Sequence, residues 1–207
     1  MTREARGCFL QFAKAPVPGA VKTRLQPLLG ADAAAAVAAR MIEAVSDALA
    51  AAAPHGWESI LCADDPEHLH LRDHSQRKNR RLWAQGEGDL GQRMGRACAR
   101  ALSSFPAVIL VGSDCLGYDR GYLRSATLML EQGASAVLGP AVDGGYVLLG
   151  LRQSPEGLFE GIPWGEACVA ELQRTRLRAL GLRWKELPPR ADVDRPQDLW
   201  MLGHLHA

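Results

Sequence analysis

The run Ala107-Val-Ile-Leu-Val111, continuing as Gly112-Ser-Asp-Cys-Leu-Gly117, is apolar at every position until it breaks into glycine, serine and aspartate. A strand with one wet face alternates apolar and polar residues, whereas an unbroken apolar run bounded by turn residues needs cover on both faces. That is the pattern of a central strand in a mostly parallel sheet lying between two helical layers. In such sheets ligands bind beyond the carboxyl ends of the strands, so Asp114 stands where chemistry is expected.

Working outward, Cys8–Ala13, Glu58–Ala63, Arg81–Ala84, Ala107–Val111, Ser135–Gly139, Tyr146–Leu151 and Leu182–Leu187 read as strands. Between them Asp32–Ala52 reads as an Ala-rich helix with Val37, Met41, Val45 and Leu49 on one face. Asp89–Ser103, Asp119–Glu131 and Glu166–Leu180 read as three more, with Asp89 as N-cap and Gln92 completing a relative of the capping box. The alternation predicts a three-layer α/β sandwich. The Pro/Asp/Gly segment between Ser135–Gly139 and Tyr146–Leu151 is too short for a parallel crossover, so one of those strands is expected to run against the rest or to form a separate ribbon.

With 207 residues, 47% hydrophobic and 23% charged, the chain is sized for one domain, 1–207. A net charge of +1 gives no bulk field for a polyanion, which argues against nucleic-acid and anionic-membrane partners. Cys8, Cys62, Cys98, Cys115 and Cys168 are odd in number and widely spaced, suggesting reduced thiols and a cytoplasmic location. The start, Met1-Thr-Arg-Glu-Ala-Arg-Gly7, leads into an apolar run too short for a signal peptide, and no run reaches the roughly 18 to 20 residues of a membrane span.

Four loops at strand ends carry the candidate chemistry. Lys14-Ala-Pro-Val-Pro-Gly-Ala-Val-Lys-Thr-Arg24 holds three cations, two stiffening prolines and Gly19. Lys14, Lys22 and Arg24 there suit a di- or triphosphate, with a solvated basic turn as the alternative. Pro16 and Val21 stand where a Walker A loop needs glycine, and the Gly-x-Gly-x-x-Gly dinucleotide fingerprint is absent. Asp114 is the first metal candidate, for Mg²⁺ or Mn²⁺; the alternative is a cap or turn. In Gly139-Pro-Ala-Val-Asp-Gly-Gly-Tyr146 the Asp143-Gly144-Gly145 unit is either a hairpin turn or a place where Asp143 meets sugar or phosphate close to glycine backbone. In Ala191-Asp-Val-Asp-Arg-Pro-Gln-Asp198 an extended backbone would place Asp192 and Asp194 on one side, one to cap the last helix and the other to reach a metal.

Taken in order, Lys14-x-Pro-x-x-Gly19-x-x-Lys22-Thr-Arg-Leu25, Gly88-Asp-Leu-Gly-x-Arg-Met94, Gly112-Ser-Asp-Cys115, Gly139-Pro-x-x-Asp-Gly-Gly-Tyr146, Pro163-Trp164 and Asp192-Val-Asp194 span nearly the whole chain. This set resembles the radical-SAM/selenodomain-associated family of small bacterial transferases, within the nucleotide-diphospho-sugar transferase superfamily. The resemblance implies a GT-A-like, Rossmann-like fold and a divalent-metal-dependent transferase acting on a nucleotide-activated sugar. It implies Asp114, Asp143 and Lys22 as catalytic, Lys14, Gly19, Lys22, Arg24, Gly88 and Asp89 as nucleotide-binding, and Asp114, Asp192 and Asp194 as metal ligands. Gly144, Gly145, Tyr146 and Trp164 would form the sugar and acceptor pocket. Leu116 replaces an expected proline, Trp164-Gly165-Glu166 replaces Trp-Ser-Thr, and the Asp114 segment has no Asp-x-Asp.

Two other functions fit the same residues. A nucleotidyltransferase would join a nucleoside triphosphate to a phosphorylated acceptor, releasing pyrophosphate, with Lys22 central. A non-catalytic nucleotide-binding domain would keep the pocket without the reaction. His68-Leu-His70 with His74 lies in a polar stretch and reads as exposed surface rather than a metal site, and Cys115 reads as packing.

Overall fold

A computed structural model describes residues 5–206; the first four residues of the charged start, and residue 207, lie outside the described residues. Strands β1 (Gly7–Ala13), β2 (Trp57–Ala63), β3 (Arg81–Ala84), β4 (Val108–Gly112), β5 (Ala136–Pro140), β6 (Tyr146–Leu151) and β7 (Trp184–Glu186) form one sheet in the order β3-β2-β1-β4-β6-β5-β7. Only β6 is antiparallel to its neighbours, and it returns from β5 by the Asp143-Gly144 turn, as the short connection requires. The bend at Gly139/Pro140 shifts the register there.

Alternate residues of the strands feed two cores. Cys8, Leu10, Val108, Leu110 and Leu149 pack with α4 (Leu90–Leu102) and α6 (Val169–Ala179) on one face. Phe9, Ile109, Val111, Val137 and Leu148 pack with α2 (Ala31–Ala52) and α5 (Arg120–Glu131) on the other. This is the three-layer sandwich expected from the β4 run. Each fully buried Leu, Ile or Phe in it contributes about 1.5 to 3 kcal/mol of transfer free energy. The capping box at the start of α4 is complete: Asp89 accepts from the Gln92 amide at 2.8 Å and Gln92 accepts from the Asp89 amide at 3.0 Å.

The structure departs from the expected elements at three places. The short α1 (Gln26–Leu29) follows the basic loop, and the last helix, implied by the Asp192-Val-Asp194 reading without bounds, is a 3-10 helix (Pro196–His206) rather than an α-helix. The stretch read as exposed surface forms α3 (Leu69–Arg77), with Leu71, His74 and Ser75 buried. The correction is physical: Leu71 packs into the core, and His74 turns inward beside it because a buried polar network takes up its Nε2 at Ser46 Oγ, 2.8 Å away.

That network starts at Gln11, in the middle of β1 and fully buried. Its amide nitrogen donates to Ile42 O at 2.9 Å and Ser113 Oγ at 3.2 Å, while its oxygen accepts from Ser46 Oγ at 2.8 Å and Arg80 Nη1 at 2.9 Å. Both donors and both lone pairs are used, which is the condition for a buried amide not to destabilise a core. Ser113 Oγ donates on to Phe12 O at 2.8 Å, so the residue before Asp114 is pinned to β1.

Candidate functional site

In the order β3-β2-β1-β4 the parallel strands β1 and β4 lie where the strand order reverses, and there an open α/β sheet leaves a crevice. The two loops leaving these strands, Lys14–Arg24 and Gly112–Gly117, meet there. They bound a cleft of about 680 Å³ lined by Lys14, Lys22, Arg24, Arg93, Asp114 and Asp194 among others. Behind it, sharing Phe12, Leu90, Gly112, Trp164 and Gly165, lies a more apolar pocket of about 220 Å³ bounded by Met94, Tyr146, Val147, Asp143 and Glu166. A third cavity of about 150 Å³ brings Asp114, Asp143 and Asp192 to one space.

Lys22 joins these parts. Its ammonium lies 2.5 Å from Asp114 Oδ1 and donates to Val193 O at 2.5 Å, and its side chain is 6% exposed. Its φ of 48° is in the left-handed region, which a side-chain-bearing residue adopts at a cost of order 1 to 3 kcal/mol, and such positions cluster at functional sites. Val193 N in turn donates to Asp114 O at 2.8 Å, tying the last loop to the end of β4. Asp64, following β2, accepts from Ala15 N at 2.7 Å and anchors the basic loop from the other side.

The paired acids are divided around Asp114. Val193 is fully buried, so Asp192 and Asp194 face outward on either side of it: Asp192 enters the small acidic cavity, whereas Asp194 is ion-paired with Arg24 in the large cleft. Neither is seen to cap the last helix; Asp198, in its first turn, instead reaches back to accept from the Asp194 amide at 3.1 Å and the Arg195 amide at 2.7 Å. The Asp192 carboxyl is pushed above its usual range by burial, then by the fields of Asp143, Asp114 and Asp194. Among the described residues no three of His, Cys, Asp and Glu enclose a possible metal position. Mg²⁺ is commonly held by one or two carboxylates plus phosphate oxygens and water, so Asp114 with Asp143 or Asp192 still fits a divalent cation, and their mutual repulsion is what such an ion would relieve.

Other expected residues take structural positions. Gly88 and Asp89 do not line the cleft: Asp89 is occupied as the α4 cap, and Gly88, at φ 96°, supplies the turn before it. Their neighbour Arg93 does reach the cleft, held by donation from Nε to Gly88 O at 2.8 Å. Gly19 shapes the basic loop at φ 85° without lining the cleft. Gly144 is required by the protein's own backbone rather than by a ligand, since a β-carbon there would lie 2.0 Å from Ala167 O. Asp143 Oδ1 accepts from Gly145 N at 2.9 Å, so the turn and the site are one structure. Cys115 is buried as packing, its thiol pushed to about 11 chiefly by burial.

Trp164 stands between the cleft and the apolar pocket, edge-on to Tyr146 with ring centroids 6.3 Å apart. Gly91 gives it room: a β-carbon on Gly91 would lie 2.7 Å from Phe159 O and 2.8 Å from Trp164 Nε1. Gly91→Ala is therefore expected to cost about 1 to 3 kcal/mol of stability, the range for overpacking, and to displace the indole. Urea denaturation together with Trp fluorescence checks this; unchanged stability and emission would refute it.

No curated protein matches the chain significantly. Among solved structures it is similar to a protein from Desulfovibrio desulfuricans G20, provisionally described as a nucleotide-diphospho-sugar transferase, at 33% identity and TM-score 0.83, covering 96% of this chain and 86% of that one. It shares its fold, at 12% identity, with 4-diphosphocytidyl-2C-methyl-D-erythritol synthase (TM-score 0.65, 99% of both chains). The same holds for CMP:2-keto-3-deoxy-manno-octonic acid synthetase complexed with CTP (12% identity, TM-score 0.60, 98% of both chains). A family profile described as uncharacterized proteins conserved in bacteria, DUF2064, matches residues 46–166, which takes in β2 through the Trp164 segment, and the chain belongs to that family.

Proposed function

We propose that this chain is a transferase acting on a nucleotide-activated sugar, with a divalent cation, Mg²⁺ or Mn²⁺, as cofactor and a small molecule as acceptor. The observation that carries this reading is the meeting of Lys22 and Asp114 at the β1/β4 crevice, in a cleft that continues into the Trp164 and Tyr146 pocket. The likeness to the Desulfovibrio protein supports it. The diphosphate lies against Lys14, Lys22, Arg24 and Arg93, and the sugar extends toward Asp143, Gly145, Tyr146 and Trp164. Lys22 and Asp114 neutralise each other until the donor arrives; the ammonium, on a side chain itself buried, then turns to the leaving phosphate in a charge-assisted bond. Asp192 already binds a proton more readily than an ordinary carboxylate, which suits Asp192 or Asp143 to take one from an acceptor hydroxyl. A divalent cation beside Asp114 supplies charge neutralisation on the diphosphate. Four buried free thiols suit a reducing cytoplasm, and no helix among the described residues is long and apolar enough to cross a membrane.

The burial of Lys22 also gives nucleotidyl transfer a footing, because the same ammonium could hold the β and γ phosphates of a triphosphate while an acceptor phosphate attacks the α-phosphorus. Product analysis separates the readings. With Mn²⁺, nucleotide sugars should yield nucleoside diphosphate, whereas pyrophosphate from a triphosphate and a sugar phosphate would establish the second. Binding without turnover on either set would leave a nucleotide-binding domain.

Nucleotide affinity should depend on metal and on Lys22. In calorimetric titrations of UDP and GDP, Lys22→Ala is expected to weaken binding by about 1.5 to 3 kcal/mol, the range for a hydrogen bond to a charged group. Tight binding indifferent to both chelator and Lys22→Ala would place the nucleotide elsewhere.

A further inference from the structure

On the side of the sheet edge at β3, a polar pocket of about 560 Å³ is lined by Glu67, Arg72, Ser75, Gln76, Asn79 and Arg80 and shares no lining residue with the β1/β4 cleft. Arg80 forms its inner wall. Nη1 donates to Gln11 Oε1 and Ser46 Oγ, and Nη2 to Ser59 Oγ, all of them neutral oxygens, while Nε has no partner. Asp47, the carboxylate whose field reaches Arg80, is already paired with Lys78 at 2.5 Å. Burial lowers the Arg80 pKa to about 10, so the guanidinium stays charged at neutral pH.

Arg80 is partly buried, and a cation drawn out of water is normally matched by an anion, because an uncompensated charge there is costly. Among the described residues no carboxylate forms an ion pair with Arg80, and Asp47 acts on it only through its field. Ser75 adds a second sign of an absent ligand: it is 4% exposed, lines the pocket, and its hydroxyl has no hydrogen-bond partner. Arg72, ion-paired with the exposed Glu67 at 3.2 Å, supplies a second cation at the mouth, and Gln76 and Asn79 supply amide donors.

We propose that this pocket is a second anion site, one that takes the phosphoryl group of a small phosphorylated metabolite or of phosphate itself. The phosphoryl dianion supplies the charge that Arg80 lacks and draws Arg72 from Glu67. Arg80 also contacts Gln11, and Gln11 contacts Ser113, which lines the nucleotide cleft, so the two sites are joined by buried hydrogen bonds.

The test is a site-resolved NMR titration of the full chain with inorganic phosphate and, separately, glucose 1-phosphate, at constant ionic strength set with chloride. The amides of Ser75 to Arg80 should shift saturably, and tighter binding of the ester would identify a metabolite rather than the free ion. Asn79→Asp, at an exposed position, should weaken binding about tenfold or more by placing a like charge in the pocket, as should Arg72→Ala by removing a charged donor. Shifts confined to residues 14 to 24, or shifts at Ser75 to Arg80 that fail to saturate or are equal in both variants, would overturn the proposal.

Discussion

Asp114→Asn is expected to lower turnover of a nucleotide sugar by about 10² to 10³-fold, the effect of removing one preorganised electrostatic contact at a reacting centre. The substitution keeps shape, and the amide oxygen can still accept from Lys22 Nζ, which now lies 2.5 Å from Asp114 Oδ1. Ser113 and Val193 hold the backbone on either side through bonds that do not involve the carboxylate, so folding should be little affected. What changes is charge. The variant loses a carboxylate for a divalent cation, and Lys22 loses its counter-ion. Two opposite results should therefore appear together: slower Mn²⁺-dependent transfer or hydrolysis, and tighter binding of UDP in the presence of chelator. A merely structural aspartate would not separate the two. Equal turnover in wild type and variant would remove Asp114 from the chemistry.

The sequence made the frame legible where one physical signal dominated. The apolar run of β4 needs burial on two faces, so the sandwich and the exit of Asp114 were legible; the short Asp-Gly connection required a reversal but left open a separate ribbon and which strand reverses, and the pairing of β6 between β4 and β5 decides both. The pairings within the site were not legible in the same way. Lys22 meets Asp114, and Arg24 meets Asp194, through the strand order β1-β4 and the return of the final loop, and no local pattern encodes that distance. Arg93 was hidden for another reason: the letters around Gly88 and Asp89 look like a ligand loop but build a helix cap, and the residue reaching the cleft lies one turn further on. Gly144 showed its need for glycine but not the cause, since Ala167 O comes from a distant part of the chain. The failure at α3 was one of period: with apolar residues so few, its inward face is drawn mainly in polar letters, and only the partners at Gln11, Ser46 and Arg80 explain why His74 can be inside.

His74 gives that hidden face a measurable consequence. Its Nε2 lies 2.8 Å from Ser46 Oγ, and the hydroxyl donates its own hydrogen to Gln11 Oε1, so the network requires Nε2–H to be the donor and leaves Nδ1 without a proton. Nδ1 is buried and has no hydrogen-bond partner, hence protonation would create both a buried charge and an unmatched donor. Burial accordingly lowers the pKa from 6.5 to about 4, with the Arg80 guanidinium acting in the same direction, Glu43 opposing it, and His70 and Lys78 adding smaller depressions. The sign follows from linkage: above pH 6.5 both states are neutral here, and as pH falls the unfolded chain takes up a proton that the folded chain refuses until about pH 4. Folding stability should drop across that window by roughly 3 kcal/mol from this residue, the order expected for such a shift at 1.36 kcal/mol per unit. Urea denaturation of wild type and His74→Gln at a series of pH values isolates the effect, because the other titrating groups are common to both. The variant should be less stable at pH 7.5 for want of the fitted ring, yet lose much less on acidification, so that the two curves converge toward pH 4. Parallel curves would mean that His74 takes up its proton in the folded state as readily as in the unfolded chain, so that the buried ring contributes nothing to the acid sensitivity.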